Sequence, residues 1–196
     1  MVVGVVGGGQ LGRMLGLAGI PLGHSFVFLD PDPSCPASAV GPVVQGAYDD
    51  PAALLRLAER VDVATFEFEN VPAAAVEALA ARVPTAPGAR SLAVSQDRIA
   101  EKTFISGLGI PVAPFAEVSD LASLEAAIAR IGRPAVLKTR RFGYDGKGQT
   151  KIFDGTDLGQ AFAEIGRQPA VLEGFVTFEK EISVIAARSW SGEVRV

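Results

Sequence analysis

Alternation constrains the first half of this chain more than anything else. Val2–Val6 reads as a buried strand and Gln10–Gly19 as a helix with Leu11, Met14, Leu15 and Ala18 on one face. Ser25–Leu29 reads as a second strand. Asp50 then caps a helix with Pro51 at its first position and Leu54, Leu55, Leu57 and Ala58 as apolar residues. Val61–Phe66 is another strand and Pro72–Arg82 another helix. Strands separated by helices must return to the same sheet edge, so they pair in parallel. The expected class is α/β: a doubly wound, Rossmann-like sheet whose ligands sit at the strand carboxyl ends.

The pattern breaks at Pro84–Gly88, where two prolines and a glycine mark a boundary. Beyond it Asp97 caps a helix from Arg98 to about Ser106, ended by Gly107 and Gly109. A strand near Val112–Val118, a helix near Leu121–Ile131 capped by Ser119 or Asp120, and a strand over Pro134–Lys138 follow. Further strands are expected at Thr150–Phe153, Ala170–Glu173 and Glu179–Ala187, with a helix at Asp157–Ile165. Strands and helices without strict alternation indicate an α+β unit. Ser191-Gly192-Glu193 signals a turn, and Val194–Val196 begins a returning strand about three residues long. That is short of the usual five or six, so the chain reads as truncated.

The 196 residues, 48% of them apolar, suffice for one large or two small cored domains. A net charge of −4 points to neither a nucleic-acid nor a membrane partner. Cys35 is the sole cysteine, which rules out an intrachain disulfide. VVGVVGGG at the start is too short and glycine-rich to span a bilayer and lacks a signal peptide's charged start, leaving the cytoplasm as the default address.

The densest chemical signal is KTRRFGYDGKGQ, Lys138–Gln149. It places Lys138 at a strand end and gathers Gly143, Gly146 and Gly148 with Lys138, Arg140, Arg141 and Lys147. Glycines let backbone N–H groups approach an anion and cations neutralise it, so the segment reads as a lid over phosphates, though without a Walker A pattern. Asp145-Gly146 between strands is also a hairpin signal. Gly7-x-Gly9-x-x-Gly12 opens the first helix, and Asp30 follows eighteen residues later. This nearly completes a dinucleotide fingerprint. Tight strand-to-helix packing and a site for another phosphorylated ligand are the alternatives. Phe66-Glu67-Phe68-Glu69-Asn70-Val71 puts Glu67 and Glu69 on one strand face at a ligand edge, or else Asn70 simply caps the next helix. His24, the only histidine, reads as a surface residue, and Trp190 as packing.

Together these segments resemble the N5-carboxyaminoimidazole ribonucleotide synthase family, ATP-grasp enzymes of purine synthesis. The resemblance rests on GGGQLGRM (Gly7–Met14), FEFENV (Phe66–Val71), QDRIAEK (Gln96–Lys102), GYDGKGQ (Gly143–Gln149), EGFV (Glu173–Val176) and Glu181, in family order. Other ATP-grasp ligases, such as formate-dependent glycinamide ribonucleotide transformylase, are the nearest competitors. The family implies a pre-ATP-grasp domain over 1–95, a lid-bearing subdomain over 96–175 and the start of a larger subdomain over 176–196. It implies that Arg98 and Lys138 contact ATP phosphates under a flap of Gly143, Tyr144, Asp145, Gly146, Lys147, Gly148 and Gln149. Glu173 and Val176 would read adenine through the backbone, with Gly174 and Phe175 between them in the ATP site, and Glu181 would hold the ribose. Gln10, Leu11 and Glu69, with Tyr144, Asp145 and Lys147, would serve aminoimidazole ribonucleotide and bicarbonate. The family's Mg²⁺ ligands would lie beyond Val196, so this chain alone is expected not to turn over. A homodimer is implied as well.

Overall fold

The computed structural model describes residues 1–143 and 147–196. Strands β1 (Val2–Val6), β2 (Ser25–Asp30), β3 (Val43–Gln45) and β4 (Val63–Phe66) form an all-parallel sheet in the order β3-β2-β1-β4. Helices α1 (Gln10–Gly19), α2 (Pro51–Ala58) and α3 (Ala73–Ala80) supply crossovers. One core gathers Val6, Leu29, Leu57, Val76, Leu79 and Leu92, and a second lies on Val5, Phe26 and Phe28. The two sheet faces are thus both covered, as parallel pairing requires.

The apolar stripe expected to pack α1 points outward. Leu11 is 60% exposed and Met14 61%. The buried positions of α1 are Gly12, Gly16 and Gly19. A Cβ on Gly19 would collide with the Phe26 ring, and one on Gly12 would lie 3.0 Å from the Gly7 carbonyl oxygen. The helix therefore approaches the sheet through its glycines, at a distance that excludes side chains.

Helices α4 (Ala89–Ser95) and α5 (Arg98–Gly107) lead into an antiparallel sheet. Its strands are β5 (Phe115–Val118), β6 (Ala135–Thr139), β7 (Gln149–Ile152) and β8 (Ala170–Gly174), in the order β5-β8-β6-β7. Helices α6 (Leu121–Ile131) and α7 (Leu158–Glu164) cover one face and bury Leu124, Leu137, Ile152, Phe162 and Leu172 against it. The mixed α/β class with a parallel and then an antiparallel sheet is the one expected.

Several local expectations fail. Glu179–Ala187 is not a strand: only β9 (Ala187–Arg188) forms there, pairing with β10 (Val194–Arg195) around the anticipated turn. Trp190 is 81% exposed instead of packed. Pro72, not Asn70, stands at the N-cap of α3. The Ala89–Ser95 helix and the Val43–Gln45 strand were not anticipated.

Candidate functional site

The glycine loop after β1 is occupied by the protein's own carboxylates. Glu67, just past β4, accepts from the amide of Gly9 at 2.8 Å and from that of Gly12. A Cβ on Gly9 would lie 2.6 Å from Glu67 Oε1. The exposed amides and partial positive charge of a helix N-terminus favour an anion there, and here a side chain supplies it. Asp30 is buried and equally committed. It accepts from Gly8 N (2.8 Å), Asp32 N (2.9 Å) and the Tyr48 hydroxyl (2.9 Å). Burial, then the hydrogen bond to Asp30, pushes the Tyr48 phenol above its ordinary value, so it stays a donor. Burial followed by the Asp30 charge likewise raises the Cys35 thiol. The pair read as a dinucleotide fingerprint is thus internally satisfied.

The residues read as an ATP site converge on the second sheet. Its α6/α7 face takes Ala135, Leu137 and Thr139 of β6 in alternation, which turns Val136 and Lys138 to the opposite face. Register places Val136 against Glu173 and Lys138 against Val171, so Lys138 and Glu173 are diagonal neighbours. Lys138 Nζ donates to Glu173 Oε2 at 3.0 Å. Lys102 Nζ, from α5, reaches the same oxygen at 3.3 Å. Glu173 is 7% exposed, and its other oxygen, Oε1, is buried with no hydrogen-bond partner among the described residues.

Helix α5 carries two cations on one face, since Arg98 and Lys102 are four residues apart. Asp97 caps it, accepting from Ile99 N at 2.9 Å and Ala100 N at 3.3 Å. The same carboxylate takes Arg140 in a forked bond, with Nε at 3.0 Å and Nη2 at 2.7 Å; Glu117 also pairs with Arg140. Burial pushes the Asp97 carboxyl up, but bonds from Arg140 and the two amides outweigh it, and it titrates below its ordinary value. The forked bond to Asp97 in turn raises the Arg140 guanidinium.

The segment read as a lid joins β6 to β7, which pair antiparallel, as the hairpin reading expects. Lys138 pairs with Gln149, and the Thr139 amide donates to the Gly148 carbonyl at 2.8 Å. A Cβ on Gly148, where φ is +69°, would lie 2.6 Å from Thr139 Oγ1, and one on Gly143 would lie 3.2 Å from the same atom. Glycine is required at 148, and 143 is tightly confined, because the hairpin closes on this threonine. Arg98 Nη2 donates to the Gly143 carbonyl at 3.3 Å. Lys147 and Gln149 are exposed on the hairpin; Tyr144, Asp145 and Gly146 lie outside the described residues.

Other expected site residues are less gathered. Gly174 ends β8, and the Phe175 amide donates to the Pro134 carbonyl at 3.1 Å, leaving Phe175 and Val176 exposed beside the Lys138–Glu173 pair. Glu181 is exposed outside any strand, and no hydrogen bond or ion pair among the described residues joins it to that pair. Gln10 and Leu11 are exposed in the first turn of α1. Glu69 lines a cavity of about 250 Å³ with Gln96, Arg98, Glu101, Arg141 and Gly143. Gln96, which the sequence reading gave no role, ties the two units. Its Nε2 donates to the Glu69 carbonyl at 2.6 Å and its Oε1 accepts from Arg141 at 2.7 Å. Lys102 was also overlooked, although its spacing from Arg98 placed both on one helix face.

Residues 1–96 match the ribonucleotide synthetase preATP-grasp domain family, and residues 103–196 the ATP-grasp domain family. The chain is 52% identical over 195 residues to the N5-carboxyaminoimidazole ribonucleotide synthase of Pseudomonas aeruginosa, spanning 100% of this chain and 54% of that protein. The crystal structure of the Staphylococcus aureus N5-carboxyaminoimidazole synthetase complexed with ADP superposes with a TM-score of 0.94 at 35% identity, over 98% of this chain and 52% of that one. The Aspergillus clavatus synthase in complex with ADP and 5-aminoimidazole ribonucleotide does so with a TM-score of 0.77 at 28% identity, over 91% and 47%. The chain therefore spans about half the length of the relatives it matches. Similar in sequence and fold along its whole length to these proteins, the chain belongs to the N5-carboxyaminoimidazole ribonucleotide synthase family of ATP-grasp proteins.

Proposed function

We propose that this chain forms the nucleotide-clamping part of a ligase that carboxylates 5-aminoimidazole ribonucleotide with bicarbonate at the expense of ATP. The observation that carries the reading is the cationic face of the second sheet. Lys138 at the end of β6, Arg98 on α5 and a glycine-ended hairpin surround one edge. Such a face suits a triphosphate tail. Relatives solved with ADP, and with ADP and 5-aminoimidazole ribonucleotide, support the choice of ligands.

In the proposed reaction a bicarbonate oxygen attacks the γ-phosphorus and the bond to the β,γ-bridging oxygen breaks, giving carboxyphosphate and ADP. Carboxyphosphate then releases CO₂ and phosphate. The exocyclic amine of the ribonucleotide forms a C–N bond to CO₂ and loses one proton. Arg98 and Lys138 hold phosphate oxygens, the hairpin with Lys147 excludes water, and Glu173 and Val176 read adenine through their backbone, with Gly174 and Phe175 between them. Positioning and charge stabilisation supply the rate, since the protein forms no bond of its own. Gln10, Leu11, Glu69, Tyr144 and Asp145 are assigned to the ribonucleotide and bicarbonate, and Glu181 to the ribose.

Mg²⁺ belongs to this reading, as the ion that neutralises the phosphate tail. Among the described residues, no three His, Cys, Asp or Glu side chains cluster so as to hold a metal ion. None of the described residues is assigned to the ion, and no step here runs through it. We place domain limits at 1–95, 96–175 and 176–196, and infer that the 196 residues alone do not turn over. A cytoplasmic homodimer is part of the proposal, supported by the outward apolar side chains of α1 and testable by gel filtration. No helix among the described residues is long and apolar enough to cross a membrane.

The deciding experiment is ADP release by the protein at its full natural length, with and without 5-aminoimidazole ribonucleotide and bicarbonate. Stimulation by both is expected; ADP release indifferent to the ribonucleotide refutes the substrate. Lys138→Ala should weaken ADP binding roughly tenfold, as loss of one charge-assisted contact does. Unchanged affinity refutes the clamp.

A further inference from the structure

Two lysines share one carboxylate oxygen on the ligand face, and the proposed clamp uses only one of them. Lys138 Nζ lies 3.0 Å and Lys102 Nζ 3.3 Å from Glu173 Oε2, with the carboxylate side chain 9% exposed. A buried carboxylate that loses its only counter-ion incurs a desolvation cost of several kcal/mol. If Lys138 alone neutralised Glu173, any phosphate that drew Lys138 away would leave that charge unpaired, and binding would carry the cost. Oε1 of Glu173 already lacks a hydrogen-bond partner among the described residues, so the carboxylate has no reserve.

Geometry divides the labour. Lys138 ends a strand beside the hairpin, and its side chain is the more open of the two, 24% exposed against 15% for Lys102. Lys102 rises from α5, whose first residues are fixed by the Asp97 cap and by the Arg98 amide donating to the Arg140 carbonyl at 3.0 Å. We propose that Lys102 is a positioning residue: the standing counter-ion of Glu173, which frees Lys138 for the phosphates of a nucleoside di- or triphosphate. Lys102 acts through Glu173 and Lys138 and touches no phosphate itself. The inference rests on the reading of this face as a nucleotide clamp.

The test is ADP and adenosine affinity, by calorimetry or competition, in the protein at its full natural length. Lys102→Met should weaken ADP roughly tenfold or more, the scale of close charge-pair coupling, and leave adenosine unchanged. Lys102→Arg should keep the parent affinity. Adding Glu173→Gln to Lys102→Met removes the charge that needs a partner while keeping the backbone. ADP affinity should then return to within about threefold of the parent, the non-additivity expected of two residues in one ion pair.

If Lys102→Met loses ADP and adenosine equally, its role is structural and the proposal falls. Persistent weakness in the double variant means that Lys102 meets phosphate directly, which also overturns it. Should Lys102→Met fail to fold, Glu173→Gln is compared with the double variant. Equal ADP affinities support the proposal, and unequal ones sink it. A parent that binds no ADP refutes the clamp itself, whereas a parent that binds ADP and a Lys102→Met that matches it refute only the counter-ion role.

Discussion

Glu67 is a residue whose chemistry is spent on the backbone. Its two oxygens take the Gly9 and Gly12 amides at the start of α1, where a dinucleotide-binding protein would place a pyrophosphate. Removing the carboxylate leaves two amides without partners in a partly buried setting. Glu67→Ala should therefore cost about 1–3 kcal/mol, the penalty for leaving such donors unsatisfied, read from the urea midpoint; no change would mean that water serves them equally well. The same occupancy predicts that NADH does not raise the melting temperature, because Asp30 is already bonded to Gly8, Asp32 and Tyr48. A clear NADH shift would show that these carboxylates swing aside. From sequence, the Gly7–Gly12 spacing and Asp30 were legible. The direction of their carboxylates was not, because Glu67 and Gly9 meet only after β1 and β4 pair across fifty-eight positions.

Helix α5 shows how one cap joins elements. Asp97 holds the first turn by its amides and, by a forked bond, ties that turn to Arg140 just past β6. Its folded titration point lies below that of the unfolded chain, near 3.9 for an ordinary aspartate. The stabilisation is thus complete above that value and is lost as pH falls through the lower, folded value. Asp97→Asn should flatten the acid limb: below about pH 4 its urea midpoint should fall less steeply than the parent's, and identical slopes would exclude Asp97 as a contributor. Caps of this kind were readable because they are local. Asp50 and Asp97 accept the amides that their positions predict, Asp120 rather than Ser119 caps α6, and Asp157, read as the first residue of its helix, is the cap of α7. Strands are another matter. Glu179–Ala187 has the composition of a strand, but a strand exists only where a neighbour supplies its ladder, and among the described residues only Ala187, at its end, has one. Val43–Gln45 was missed for the converse reason, since three residues become a strand through pairing with Phe28–Asp30.

At the scale of the molecule, stability should be uneven along the chain. Two core-bearing units, the parallel sheet with a cluster on each face and the antiparallel sheet with α6 and α7, hold the buried apolar clusters, which end at Leu172. Beyond Gly174 every residue is exposed, including Phe178 at 63%, Ile185 at 87% and Trp190 at 81%. The sole strand pairing there is the two-residue ladder of β9 with β10, and an isolated two-stranded hairpin is marginal in water. Local opening free energy follows buried apolar contact. Amides of β1, β2, β6 and β8 should accordingly exchange slowest in the 196-residue chain. Those from 176 to 196 should exchange at rates near those of an unfolded peptide. Thermolysin, which cuts beside exposed apolar residues, should cleave first between Phe178 and Ile185 and leave a resistant fragment covering both cores. The thermal midpoint of that fragment should match the parent's, because the lost residues bury nothing in the cores. If the region past Gly174 is protected as strongly as β8, or its removal lowers the midpoint by several degrees, then its apolar side chains pack on the cores and the exposed arrangement is wrong.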